Sequence, residues 1–260
     1  MNFLLSSNIK NNSIKTLSVN MNTNQKKNLG ESPVYAFLEK PSLIDYPGSL
    51  CGVFFTSGCN FTCGFCHNAV LMGKKKKSLP WERLTEICRT FKEEWVDAVC
   101  ITGGEPSLQS NLIELIHFFR NYGFKIKLDS NGSHPEVLRE CLPLVDCIAM
   151  DIKSGLSGYP EIAGFNRPEL IKESIKLIMQ SGVDYEFRTT VIEPFHTDEQ
   201  MLETGELIRG AKRYTLQAFV PQDILPDKKF CALKRTSPNR LHELEKLMAP
   251  YADEIIVRGA

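Results

Sequence analysis

Between Leu50 and Val220 the chain alternates short apolar runs with amphipathic stretches, and this alternation restricts the fold more than any other feature. The apolar runs are Leu50 to Thr56, Asp97 to Thr102, Phe124 to Asp129, Val145 to Ile152, Tyr185 to Val191 and Tyr214 to Val220, each rich in β-branched or aromatic residues. Between them lie Trp81 to Glu94, Leu108 to Tyr122, His134 to Leu142, Pro168 to Ser181 and Thr197 to Arg209, with apolar residues such as Leu112, Leu115, Ile116 and Phe119 at helical steps. Strand followed by helix, repeated, predicts an α/β fold with a parallel sheet. Pro168 suits a first helical turn, and Gly123 and Gly182 fall where helices stop. Six units are too few for the roughly 250 residues of a complete eight-unit barrel. A partial barrel and a doubly wound sheet both satisfy the periodicity. Ser237 to Met248 reads as a further helix, and Glu254 to Val257 as an edge strand.

The chain has 260 residues, with 31 Lys+Arg against 31 Asp+Glu. That length allows one domain with a full core, and the charge balance argues against nucleic acid or an anionic membrane as the main partner. No stretch approaches the roughly 18 to 20 apolar residues of a membrane-spanning helix. Residues 1–32, rich in Asn, Ser and Lys, read as a disordered tail, and 33–260 as the core domain. A transit peptide, or a true start at Met21, are the other readings of that tail.

Nine cysteines, an odd number in a chain that needs no staples, argue for a reducing compartment, the cytoplasm, rather than a disulfide framework. Cys59-Asn-Phe-Thr-Cys63-Gly-Phe-Cys66 follows the first predicted strand directly. A loop can bring three sulfurs together, whereas a helix or strand would spread them over several faces. An iron–sulfur cluster is the reading preferred; zinc and three unrelated core thiols are the others. Structural zinc wants four ligands, and His67 is poorly placed as the fourth. Cys51, Cys88, Cys100, Cys141, Cys147 and Cys231 read as packing residues.

Each predicted strand also ends in polar or small residues: Thr102-Gly103-Gly104-Glu105-Pro106, Asp129-Ser130-Asn131-Gly132 and Asp151-Ile152-Lys153, with Glu186 and Arg188 on the fifth strand and Gln217 on the sixth. The carboxyl ends of parallel strands gather at one face, where ligands bind. Taken singly, Gly103-Gly104 is equally a tight turn, Asp129 to Gly132 a helix cap, and Lys153 and Arg188 ordinary ion-pair partners of Asp151 or Glu186. Their joint placement beside the cysteines favours a shared pocket.

These motifs together resemble the radical S-adenosylmethionine enzymes: three cysteines with Phe65 before the third, Gly-Gly-Glu-Pro after the second strand and Asp-Ser-Asn-Gly after the third. Ser42 to Gly48, Cys66-His-Asn68, Met150 to Lys153 and Glu186 to Thr190 are further similar to the anaerobic ribonucleoside-triphosphate reductase activating proteins. The resemblance implies a partial (β/α)6 TIM-like barrel with a C-terminal helix and edge strand. It implies a [4Fe-4S] cluster on Cys59, Cys63 and Cys66, with S-adenosylmethionine chelating the unique iron through its amino and carboxylate groups. Thr102, Gly103, Gly104 and Glu105 would line the methionine amino group, Asp129, Asn131, Lys153 and Arg188 would meet the ribose and carboxylate, and Phe65 would lie near the adenine. A zwitterionic ligand needs an acceptor and a cation, and both types are present.

The implied reaction is reductive cleavage of S-adenosylmethionine, followed by removal of hydrogen from one glycine of a partner glycyl radical enzyme. No acid–base pair is then required. Reduced flavodoxin or ferredoxin is the implied electron donor, and Lys74 to Lys77 is either a solvated loop or a guide for such an acidic partner. Activases of pyruvate formate-lyase share the core motifs. So do radical enzymes with small substrates, such as those resembling 7-carboxy-7-deazaguanine synthase. A non-enzymatic metal-binding module is the remaining reading.

Overall fold

The computed structural model describes residues 31–73 and 76–259, so the expected tail up to residue 30 and two lysines of the basic run lie outside the described residues. Ser32, the last residue of that expected tail, is buried, and its hydroxyl donates to the Leu79 carbonyl at 2.5 Å.

The alternation is realised as one eight-stranded sheet with its strands in chain order. These are β1 (Val34–Phe37), β2 (Cys51–Thr56), β3 (Ala98–Gly103), β4 (Lys125–Ser130), β5 (Cys147–Asp151), β6 (Asp184–Val191), β7 (Ala211–Ala218) and β8 (Ala252–Arg258). All pairs from β2 to β8 are parallel, while β1 runs antiparallel to β2. The order runs from β1 to β8 without pairing those two edges, so the sheet is an open, partial barrel. The helices are α1 (Trp81–Glu93), α2 (Leu112–Asn121), α3 (Pro135–Cys141), α4 (Tyr159–Ile162), α5 (Pro168–Gln180), α6 (Asp198–Leu207), α7 (Lys228–Cys231) and α8 (Pro238–Met248).

The six predicted strands and the C-terminal edge strand are all present, and β8 pairs in parallel with β7. The ends follow local chemistry. Thr197 and Ser237 cap α6 and α8 by accepting from the Gln200 and Arg240 amides. Gly123 and Gly182 take φ of +73° and +77° just past α2 and α5. α2 begins at Leu112, later than the expected Leu108, because Pro106–Leu108 forms a separate 3-10 turn whose first amide, that of Ser107, is held by the Glu105 carboxylate.

Packing separates two faces of the sheet. Outside, Phe54 of β2 is fully buried among Phe37, Phe91 of α1 and Phe119 of α2, at ring-centroid distances of 6.3, 5.9 and 4.5 Å. Inside, Cys51, Val53, Ala98 and Cys100 form a cluster closed by Leu38, Tyr46 and Phe55. The register carries Val53 to Cys100, Lys127 and Cys147 across β2 to β5, so small thiols fill the barrel floor beside one buried lysine. Five of the six cysteines assigned to packing are buried, and Cys231 is half-buried.

Phe54 has three ring neighbours anchored on different elements, which cannot collapse together into the space that its removal leaves. Phe54→Ala is therefore expected to lower stability by about 3 to 5 kcal/mol, measured as a fall in the urea midpoint at an unchanged slope.

Candidate active site

The three-cysteine segment follows β2 without a helix or strand of its own, so its backbone groups must find partners elsewhere. They find them in the loops that leave other strands of the sheet. Just before the segment, the Gly104 and Glu105 amides donate to the Thr56 and Gly58 carbonyls at 3.0 and 2.9 Å. Thr62 donates to Ala163 at 2.8 Å, and Asp227 donates to the Gly64 carbonyl at 3.1 Å. Gly103, at φ +128°, and Gly104 lie so close to this segment that a Cβ on either would run into backbone atoms of Thr56 or Gly58. The glycine pair is thus a seat for the cysteine loop and more than a turn. Phe65 is buried and meets Phe230 of α7 at 5.6 Å, and the His67 ring bonds the Val220 carbonyl at 2.9 Å, away from any role as a fourth zinc ligand.

The twelve residues that the resemblance assigns to the site line one cavity of about 330 Å³: Cys59, Cys63, Phe65, Cys66, Thr102, Gly103, Gly104, Glu105, Asp129, Asn131, Lys153 and Arg188. That volume is within the range of small-molecule sites. Leu38, Val53 and Phe55 give the β1–β2 side an apolar wall, and Asp45, Thr190 and Gln217 complete the rim. Asp45 lies in the β1–β2 connection, which strand-end reasoning does not reach.

The charged wall is an ion-pair chain across β4 to β6. Lys127 Nζ and Asp129 are 2.6 Å apart, Arg188 bridges Asp129 at 3.2 Å and Asp151 at 2.9 Å, and Lys153 Nζ meets Asp151 at 2.9 Å. With Glu186, 3.9 Å from Arg188, and its partner Arg258 included, four cations face three carboxylates, leaving one positive charge over. Burial opposes charge on all of these groups, but the pairing wins: Asp129 and Asp151 are held below the usual carboxylate range, and Lys153 is raised by Asp151. Glu186, read on the same face, lies 3.9 Å from Arg188, pairs more closely with Arg258 at 3.0 Å and accepts from Thr215, so it joins this chain to the barrel wall. Burial pushes the Cys59 and Cys63 thiols up to about 11 and 12 and raises Cys66 as well, while Lys153 pulls all three the other way.

Glu105 is fully buried, and its carboxylate takes three donors: Ser107 N at 3.0 Å, Ser130 Oγ at 2.9 Å and Asn131 N at 2.6 Å. Burial raises its pKa against the pull of these bonds. The side chain therefore ties the loop after β3 to the loop after β4. Behind the charged wall, His196 is also fully buried. Ile192 N donates to its Nδ1 at 2.9 Å, so Nε2 carries the proton and donates to the Lys153 carbonyl at 2.9 Å. This neutral histidine fixes the backbone that carries Lys153. It was not anticipated from the sequence, where a lone His after a strand gives no signal.

Among the described residues no three His, Cys, Asp or Glu side chains converge on a single ion. Three thiols spread around one cavity, with none in a disulfide, could instead serve a cluster in which each cysteine ligates a different iron. The sequence pattern of the radical SAM superfamily matches residues 53–208, which span β2 to α6. The chain belongs to the radical SAM superfamily.

Across 225 residues it is 33% identical to a protein of Methanocaldococcus jannaschii whose provisional name is glycyl-radical enzyme activating enzyme, covering 84% of this chain and 92% of that one. In fold it is similar to SuiB of Streptococcus suis bound to S-adenosylmethionine, with TM-score 0.62 and 16% identity, covering 80% of this chain and half of SuiB. A domain of pyruvate-formate lyase-activating enzyme from Bacteroides vulgatus also matches, with TM-score 0.52 and 18% identity, covering 63% and 99% of the two chains. As a radical SAM enzyme the chain uses a [4Fe-4S] cluster and S-adenosylmethionine, which when bound supply reductive cleavage of the sulfonium. Among the described residues no helix is long and apolar enough to cross a membrane.

Two outcomes test this description. Gly104→Ala forces the loop after β3 off the Gly58 carbonyl, and is expected to cut iron retained after anaerobic reconstitution severalfold with little change in far-ultraviolet circular dichroism. Burial lowers the pKa of His196. The unfolded chain takes up this proton near the ordinary value of about 6.5, and the folded chain does so only at lower pH. Its contribution to stability is therefore complete above about pH 6.5 and lost as pH falls through the folded value. His196→Gln is expected to flatten the dependence of the urea midpoint between pH 7 and pH 5.

Proposed function

We propose that this radical SAM enzyme activates a glycyl radical enzyme, and that its partner is an anaerobic ribonucleoside-triphosphate reductase. The relative named for such activation, matched over 84% of this chain and 92% of its own length, carries this reading. The motifs at Ser42 to Gly48, Met150 to Lys153 and Glu186 to Thr190 support the choice of reductase over a lyase.

In this reading Cys59, Cys63 and Cys66 hold the cluster. Thr102, Gly103 and Gly104 present their edge of the cavity to the methionine amino group, Lys153 and Arg188 supply the positive charge for its carboxylate, and Phe65 packs against the adenine. Asp129 and Asp151 keep the two cations in place, and the buried aromatic residues around the cysteine loop exclude water. An open barrel leaves a side, bordered by Leu38 and Asp45, through which an extended glycine segment of a partner can enter. Reduced flavodoxin or ferredoxin supplies the electron. Lys76 donates its amide to Ser57 beside the cysteine loop, and Lys77 is exposed, which supports a basic landing area for such a donor. Nine free cysteines support a cytoplasmic setting.

The test mixes the reconstituted chain, dithionite and S-adenosylmethionine with an anaerobic reductase. The expected result is 5′-deoxyadenosine together with a glycyl radical signal on the reductase, both lost in Cys63→Ala. Deoxyadenosine with a radical only on a pyruvate formate-lyase would change the partner. Deoxyadenosine stimulated by a pterin-like compound and by no protein would overturn the activase reading.

A further inference from the structure

The hydrogen bonds of Asn131 point to a role that differs from a contact with the nucleoside. An asparagine side chain offers two N–H donors and one carbonyl oxygen with two lone pairs. In Asn131 all four are engaged within the protein. Nδ2 donates to Asn60 Oδ1 at 3.0 Å and approaches Cys59 Sγ at 4.0 Å, while Oδ1 accepts from Ser133 N at 3.0 Å and Ser133 Oγ at 2.6 Å. Asn60 closes the ring by donating to Ser133 Oγ at 2.9 Å. Asn131 is buried, and its backbone amide is fixed by the Glu105 carboxylate.

This ring joins the loop after β4 to the first cysteine of the cluster loop. Cys59 is also approached by the Phe61 amide, at 3.4 Å, so it receives two N–H groups. Cys66 receives the backbone amide of Asn68, and no donor to the Cys63 sulfur is found among the described residues. The three thiolates are thus not equivalent, and the Asn60–Asn131–Ser133 ring is what makes Cys59 the most heavily solvated by protein.

We propose that Asn131 is a positioning residue for the cluster: it orients Cys59 and donates a hydrogen bond to its sulfur, rather than binding the ribose or carboxylate of S-adenosylmethionine. A donor at a ligand sulfur stabilises the more negative, reduced cluster and so raises its reduction potential; ligand-orienting partners of this kind also hold the metal in place. The inference rests on membership of the radical SAM superfamily and not on the identity of the partner enzyme. A failure of the activase reading would leave it standing.

The experiment uses the full chain reconstituted anaerobically, as wild type, Asn131→Ala and the milder Asn131→Ser, which keeps a hydroxyl donor. The cluster midpoint potential is followed by electron paramagnetic resonance, iron loss to a chelator by absorbance, and S-adenosylmethionine binding by equilibrium dialysis. Asn131→Ala is expected to shift the midpoint to a more negative value and to speed iron loss severalfold. Its affinity for S-adenosylmethionine should stay within about twofold, and Asn131→Ser should fall between it and wild type. If Asn131→Ala takes up no cluster, the same readouts on Asn131→Ser decide. An unchanged potential overturns the proposal, and a tenfold loss of S-adenosylmethionine affinity beside it would return Asn131 to the nucleoside.

Discussion

The seating of eight irregular residues, Cys59 to Cys66, is the constraint on which the rest of this structure depends. A segment without a ladder of its own cannot be buried until each polar backbone group has a partner. The open barrel supplies such partners from loops that leave β5 and β7, the Ala163 carbonyl for Thr62 and the Asp227 amide for Gly64, while the Gly104 and Glu105 amides after β3 fix the residues just before the segment, at Thr56 and Gly58. Several sequence features follow. Gly103 and Gly104 have no side chain because the cysteine loop lies against their backbone, and Gly64 has none because Phe230 and Asp227 press on it from the other side. Parallel topology is what makes this arrangement available, since it brings the departing loops of many strands to one face.

Electrostatics within the barrel is a second layer that the overall charge hides. A chain of net charge zero concentrates Lys127, Asp129, Arg188, Asp151 and Lys153 along one inner wall. Each carboxylate of this wall meets at least one cation closely, which is the condition under which burial of charge is tolerated. Lys153, at one end of this chain, favours the charged form of all three thiols, as a thiolate ligand set would require. His196 belongs to the same device, because its Nε2 proton holds the carbonyl of the residue that carries this charge.

Much of this was legible in the sequence because it is local. Strands β2 to β7 announce themselves by apolar runs, the caps at Thr197 and Ser237 by their residue types, and the cysteine loop by its spacing. β1 was not read, since four residues with one fully buried side chain carry too little pattern. Residue positions in the site were legible, and their hydrogen-bond economy was not. Asn131 reads as a contact of S-adenosylmethionine or part of a helix cap and Asn60 gives no signal, yet the two, 71 positions apart, bond each other. Glu105 reads as a free carboxylate in a ligand-binding loop, yet three donors from the protein occupy it. Long-range pairing of this kind depends on which loops the topology brings together, and no local signal encodes it.

Cys59, Cys63 and Cys66 are proposed to hold a cluster in the same cavity that takes S-adenosylmethionine. Pulsed electron-nuclear double resonance on the reduced, reconstituted chain with S-adenosylmethionine labelled at the amino nitrogen tests it most directly. A strong hyperfine coupling from that nitrogen to the cluster is the result expected of a ligand chelating its open iron. A loaded cluster with no such coupling, at saturating S-adenosylmethionine, would contradict the account.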